Sequence, residues 1–199
     1  MEAYSSITEK RLPASATTSR RQKTEPPSTE LVTRTRSGCS STTSRVTGAY
    51  FADGSQHLDY DTFQEHIAPH TTSDFAFKGV LNDQASAVWR GMIRVEEHAQ
   101  KTNAYQENRN LLLSKQAHAD SIPGLEIMAN DVRCTHGATL GQVDREQLFY
   151  LMTRGLTRAE AERLIVRGFF QDVLDRVELE PVRDALAAAL EARIPQTSR

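Results

Sequence analysis

Residues 75–95 read FAFKGVLNDQASAVWRGMIRV. Two strand-length apolar runs, Phe75–Leu81 and Ser86–Val95, flank a short polar piece, and the second run alternates apolar with polar side chains in places. Working outward, the same texture repeats. NLLLS (110–114), GLEIMA (124–129) and DVRCTHGATL (131–140) are further strand-length runs, separated by polar or turn-forming residues. Upstream, GAYFADGSQHLDYDTFQEHIAP (48–69) is mixed, with Asp53–Gly54 signalling a turn. The run centres lie about 10 to 20 residues apart with no helical stretch between them. That spacing suits an antiparallel sandwich or a stack of parallel coils. Hairpin dipeptides such as Asn-Gly are absent between the runs, which favours the stack. Period-two alternation alone leaves the choice open.

The chain has 199 residues, enough for one domain with an appendage. Residues 1–45 carry eighteen Ser or Thr, three Pro, eight Lys or Arg and four Asp or Glu, a net charge of +4, which leaves −6 for residues 46–199. The few large apolar residues of 1–45 are scattered without period. Such a segment buries too little surface to offset its ordering entropy, and we expect a disordered tail. A transit peptide shares this composition, but a stretch without function is the reading we favour. The acidic remainder argues against a nucleic-acid-binding body, which needs clustered Lys and Arg. Two cysteines do not make a disulfide framework, and no apolar run approaches the ~20 residues that span a bilayer. A soluble cytoplasmic protein, without membrane or nucleic-acid partners, is the expectation.

Three helices are expected over 144–194. Asp144 and Gln147 open the first, which ends at Gly155, a residue suited to the left-handed position after a helix. Thr157 and Glu160 form a capping box, and Ala161, Leu164, Ile165, Gly168 and Phe169 follow as an amphipathic stripe. Pro181 suits the first turn of a third helix in which Val182, Leu186, Ala189 and Leu190 share a face. These stripes pack on each other and on the β body. Three short helices also present more apolar face than they can hide mutually, which suggests a partner surface.

Cys134 and His136 are the candidate chemistry. In an extended strand they point to one side, and thiolate and imidazole suit zinc or an iron–sulfur cluster. Two ligands do not close a site, and no second Cys or His pair follows at metal spacing. The alternatives are packing, or a site completed by another chain. His66 and His70 have helical metal-pair spacing, but Pro69 disfavours a helix there, and the order E-H-x-x-x-H is not H-E-x-x-H. We expect local hydrogen bonding at strand or turn positions. His57, His98 and His118 sit in polar surroundings and read as solvated. GATLG (137–141) lacks the lysine and third glycine of a phosphate cradle. YQENRNLLLS (105–114) reads as a polar turn or a side-chain ladder inside a β stack.

Several segments in series resemble one family, the SufB/SufD proteins of iron–sulfur cluster assembly, and its SufD branch in particular. They are HLDYDTFQEHIAPHTTSDFAFKGVL (57–81), RGMIRVEEHAQKTNAYQENRNLLLS (90–114), ADSIPGLEIMANDVRCTHGATLGQVD (119–144) and EQLFYLMTRGLTRAEAERLIVRGF (146–169). CTHGAT is the version similar to SufD. The resemblance implies a mainly β fold with C-terminal α, a right-handed parallel β-helix over 46–143, and a helical domain over 144–199. It implies a scaffold without turnover of its own, with SufB as β-helix partner and the SufC ATPase on the helices. A transient iron–sulfur cluster shared with the partner chain would use His136 and, nearby, Cys134. Members of the family carry a helical region and further coils before the point where the match begins, so the β-helix is expected to be truncated. The alternative is an interaction module that holds the ATPase while the cluster site is idle. A small metal-dependent enzyme using Cys134, His136 and His70 is the third and weakest reading.

Overall fold

The computed structural model describes residues 28–194, with side-chain surroundings from Arg36 onward. Eight ten-residue strands come first: β1 (Ser28–Ser37), β2 (Thr43–Ala52), β3 (His57–His66), β4 (Thr72–Leu81), β5 (Ser86–Val95), β6 (Asn103–Leu112), β7 (His118–Ile127) and β8 (Arg133–Gln142). Odd strands form one sheet in the order β1-β3-β5-β7, and even strands form the other, β2-β4-β6-β8. Every pairing is parallel. Register partners such as Ser28 with His57 and Ser86 with His118 give coils of 29 to 32 residues. Each coil contributes one strand to each sheet, so the stack is a parallel β-helix. Among the two topologies that the run spacing allowed, the coils are the one formed.

The strands begin earlier than the composition suggests. β1 and the start of β2 lie inside residues 1–45, where we expected a tail; residues 1–27 lie outside the described residues. Pairing with β3 and β4 supplies hydrogen-bond partners to a Ser/Thr-rich backbone that has little apolar surface of its own. The ladder, rather than side-chain hydrophobicity, gives these residues their conformation.

Corners are set by residues in the left-handed region. Ser41, His70 and Lys101 have φ near +60° at one side, and Gly54 (φ +59°) and Asp83 (φ +51°) at the other. Successive corners bond to each other: Gly54 N donates to Asp83 Oδ2 at 3.1 Å, and Gln84 N to Gly54 O at 2.8 Å. The Asp53–Gly54 turn read from sequence is one of these.

Inward residues form the core. Phe75, Phe77 and Trp89 pack in the middle, Ile93, Val95, Ala99 and Ala104 at one side, and Tyr50, Leu81, Ala85 and Ala87 at the other. Gln106, Asn108 and Asn110 of β6 also point inward and are buried. They form the side-chain ladder suggested by YQENRN. Asn110 Oδ1 accepts from Tyr50 Oη at 2.5 Å, and Asn110 Nδ2 donates to Asn108 Oδ1 at 2.6 Å. Gln106 Nε2 donates to the carbonyls of Gly91 (3.2 Å) and Gly124 (3.1 Å). Gln106 thus ties the two sheets together across the tube. Gly79 is required here, since a Cβ would come within 2.2 Å of the Tyr50 ring.

Three helices follow: α1 (Arg145–Thr153), α2 (Arg158–Asp175) and α3 (Glu180–Arg193). Asp144 caps α1, Gly155 takes φ +96° after it, Thr157 and Glu160 make a capping box, and Pro181 lies in the first turn of α3. Of the α2 stripe read in sequence, Ala161 is buried and Ile165 and Phe169 pack on the sheet, but the most buried positions are shifted round the helix. Ala161, Val166, Phe170 and Val173 are buried, whereas Leu164 is 47% exposed and Gly168 faces outward. The reason is the outer face of the even-strand sheet. There Val80 and Leu111 present an apolar patch that accepts Val166 and Phe170. Both stripes are apolar, and only the sheet selects between them. Among the described residues, no helix is long and apolar enough to cross a membrane.

Candidate functional site

β8 pairs with β6 on one side and with no strand on the other among the described residues. β7 ends the odd-strand sheet in the same way. The last coil therefore presents the inward positions of two strands without a further coil above them. Cys134, His136, Ala138 and Leu140 are these positions on β8, because they register with the inward Ala104, Gln106, Asn108 and Asn110 of β6. The same side-chain direction meets opposite surroundings: Asn110 is 3% exposed and its neighbour Leu140 is 52% exposed. Ile127 and Met128, at the end of β7, are also exposed.

Strand alternation puts Cys134 and His136 on one side, as their spacing suggests. Their surroundings differ. Cys134 is half-buried and packs on the cluster of Ile93, Val95, Ala99, Ala104 and Ala129. That burial pushes its thiol pKa up, and a backbone hydrogen bond at Ala104 only partly offsets the shift. At neutral pH it is a protonated thiol, poorly suited to ligation until a cation or metal favours the thiolate. His136 is exposed, with the buried Gln106 as its neighbour on β6. The pair stands two residues apart on an open strand edge. Among the described residues, no group of three or more His, Cys, Asp or Glu is placed to hold a metal ion. The chain offers two ligands and a surface, so a complete cluster site needs donors from elsewhere.

The other histidines take local roles. His66 is buried at the end of β3; its Nδ1 lies 2.7 Å from Thr71 Oγ1 and its Nε2 2.9 Å from Ser73 Oγ. Burial lowers its pKa to about 4. His70 occupies a left-handed corner, so the two do not share a face. His57 bonds Ser86 Oγ at 2.7 Å, His118 lies 3.2 Å from Asp120, and His98 is exposed. GATLG lies within the extended backbone of β8 rather than in a loop, so it makes no phosphate cradle.

The helices carry the second surface. Phe149, Tyr150 and Met152 on α1, Leu164 on α2, and Leu179, Val182 and Leu186 in and before α3 are all exposed. Two of these, Val182 and Leu186, belong to the α3 stripe read in sequence; no side chain of α3 is buried. Sequence reasoning passed over Lys78 and Arg176, whose ion pairs join α2 to the sheet. A lysine within an otherwise apolar strand run was the available signal.

The family model describing the SufBD core domain of the SUF system for iron–sulfur cluster assembly matches residues 31–169. A SufBD family protein of Mycobacterium tuberculosis is 40% identical over 158 residues, covering 75% of this chain and 40% of the relative. The iron–sulfur cluster assembly protein SufD of Escherichia coli is 37% identical over 141 residues, 71% of this chain and 33% of the relative. SufD of Bacillus subtilis is also 37% identical, covering 71% and 32%. This chain therefore spans 40% or less of the length of these relatives. With a parallel β-helix, three C-terminal helices and a family match across most of both, the chain belongs to the SufBD family.

Proposed function

We propose that the chain acts in iron–sulfur cluster assembly as a non-catalytic scaffold subunit. The observation that carries this reading is the open terminal coil, where His136 and Cys134 sit on an unpaired strand edge. A second β-helix laid against β8 would satisfy the free backbone groups and cover Leu140, Ile127 and Met128. It would also bring its own ligands to the two present here. SufB is the proposed partner at this end. The transient iron–sulfur cluster is cargo at the joint, with His136 as this chain's imidazole ligand and Cys134 as a thiolate once the metal lowers its pKa. The exposed apolar residues of α1 and α3 dock the SufC ATPase. A cytoplasmic site of action follows from that assembly.

Co-purification with SufB and SufC under anaerobic conditions, with visible absorption and iron analysis, tests this. A ternary complex that holds iron, and loses most of it with His136→Ala, supports the scaffold. The exposed apolar residues of α1 and α3 favour one second reading, an interaction module that binds the ATPase through its helices with the cluster site idle. A colourless complex with SufC alone, unaffected by His136→Ala, would establish that module and sink the scaffold.

A further inference from the structure

The last coil presents two strand edges that are unpaired among the described residues, and their chemistry differs. On β7, His118 N donates to the Ala85 carbonyl at 3.0 Å and Met128 N to the Val95 carbonyl at 2.9 Å. Even-numbered residues of β7 therefore turn their backbone groups to β5. Period-two alternation turns those of Ala119, Ser121, Pro123, Leu125 and Ile127 to the free side. On β8, Arg133 N donates to the Thr102 carbonyl at 2.8 Å. Its odd-numbered residues face β6, and Cys134, His136, Ala138 and Leu140 present N–H and C=O to the free side. Proline has no N–H. Pro123 sits in the middle of the free side of β7, where the missing donor costs the β5–β7 ladder nothing. One residue earlier or later it would remove a bond to β5.

We propose that Pro123 closes β7 to strand addition, so that an edge strand of a partner β-helix docks on this coil through β8 alone. The pyrrolidine ring stands where an incoming strand needs a donor. It splits the remaining free-side donors of β7 into two separated pairs, Ala119 with Ser121 and Leu125 with Ile127. Charge adds to the block. Asp120 and Glu126 flank the proline on the outward side of β7, both exposed, and carboxylates on an edge strand discourage pairing. β8 carries neither device. From Cys134 to Gln142 it has no proline and, His136 aside, no ionisable side chain beyond the Cys134 thiol. Its outward residues Thr135, Gly137, Thr139 and Gly141 are small and leave the edge unobstructed.

Without such a block β7 would be adhesive. Ile122 and Ile127 are exposed on it, and an exposed apolar edge strand is a template for unspecific pairing. With both edges open, a partner has two sheets to pair with, and the two choices set different orientations across the lumen. With β7 closed, one orientation remains. In it the incoming strand bonds the backbone of Cys134 and His136, the residues that carry the candidate ligands. That the partner is SufB rests on the scaffold reading; the closure of β7 does not.

Amide exchange of the full chain, read residue by residue, tests the closure. With SufB added, amides of Cys134, His136 and Ala138 should slow about tenfold, while Ser121 and Leu125 stay as fast as in the chain alone. Equal slowing on both strands overturns the closure. Without any partner, Pro123→Ala should strengthen self-association about tenfold, as one restored edge hydrogen bond and the removed ring would allow, with new protection at Ser121 and Leu125. An unchanged sedimentation profile for Pro123→Ala overturns the closure whatever SufB does. Ala138→Pro places the same block on the free side of β8 and removes no bond to β6. It should weaken SufB binding about tenfold and leave the melting temperature nearly unchanged. Full SufB binding by this variant overturns docking through β8; if it fails to fold, the exchange pattern of the wild-type complex decides that point. A wild-type chain that does not bind SufB at all sinks the scaffold reading alone, since the Pro123→Ala comparison needs no partner.

Discussion

β6 and β8 are neighbours in one sheet, paired residue for residue, yet most of β6 is buried and no residue of β8 is. Gln106 and His136 are register partners with side chains on the same side. Gln106 is closed in by the coil above and bonded to two glycine carbonyls, while nothing described covers His136. The polar side chain that serves structure is the one with every partner in place. The other is exposed, and it stands on the last described rung of the stack. In a solenoid, polar side chains of the last rung stay accessible because only interior rungs are covered from both sides.

The sharpest way to break this comparison is a pair of substitutions read by urea denaturation. Gln106→Ala leaves the Gly91 and Gly124 carbonyls and the Gln64 amide without their partner in the interior, and opens a cavity. A loss of about 4 kcal/mol is expected. His136→Ala should change stability by no more than about 0.5 kcal/mol, as at a surface position. Comparable losses at both sites would mean that the terminal rung is as closed as the interior one.

A second contrast uses pH. His66 has a folded pKa of about 4 against 6.5 for the free side chain, because burial disfavours the imidazolium. Below pH 6.5 the unfolded chain binds a proton that the folded one does not. The stability contribution is therefore complete above pH 6.5 and is lost as pH falls towards 4, by up to about 3 kcal/mol. His66→Gln should flatten the curve of unfolding midpoint against pH over that window. A slope that persists in His66→Gln would assign the effect to other groups.

The smallest effect concerns the corners. His70 is exposed at φ +57°, a conformation that glycine adopts without the Cβ cost. His70→Gly should raise stability by about 0.5–1 kcal/mol, or leave it level if the added chain entropy of glycine cancels the relief. A thermal melt distinguishes these from a clear loss, which would give His70 a packing role that its exposure does not suggest.

Several elements were legible before any coordinates. Thr157 and Glu160 cap α2 through contacts only three residues apart, and Gly155 ends the turn after α1 through its own φ; both are local interactions that sequence encodes directly. The Asn and Gln run of β6 was readable as a polar turn or an interior ladder, and burial of Gln106, Asn108 and Asn110 makes it the ladder. Other features were not. Ser28–Ser37 looks disordered by composition, and it is a strand because β3 lies beside it. The face of α2 was legible only in part: Ala161, Ile165 and Phe169 lie on the packed side, but Leu164 and Val166 are both apolar, and only the Val80–Leu111 patch favours one. Lys78 is an anomaly in sequence and an anchor only once Asp172 is across from it.

The amino-acid sequence by itself determined the helix caps, the pairing of a thiol and an imidazole on one side of one strand, and the family to which the chain belongs. Those depend on local periodicity, short-range hydrogen bonds and residue identity. Tertiary structure alone decided which polar side chains are buried, which face of α2 is hidden, and that Cys134 and His136 lie on an open edge. Burial is a property of what lies above a residue, and in a parallel β-helix that neighbour is about 30 residues away along the chain. Local pattern is the same at every rung; only the stacking tells the last one from the rest.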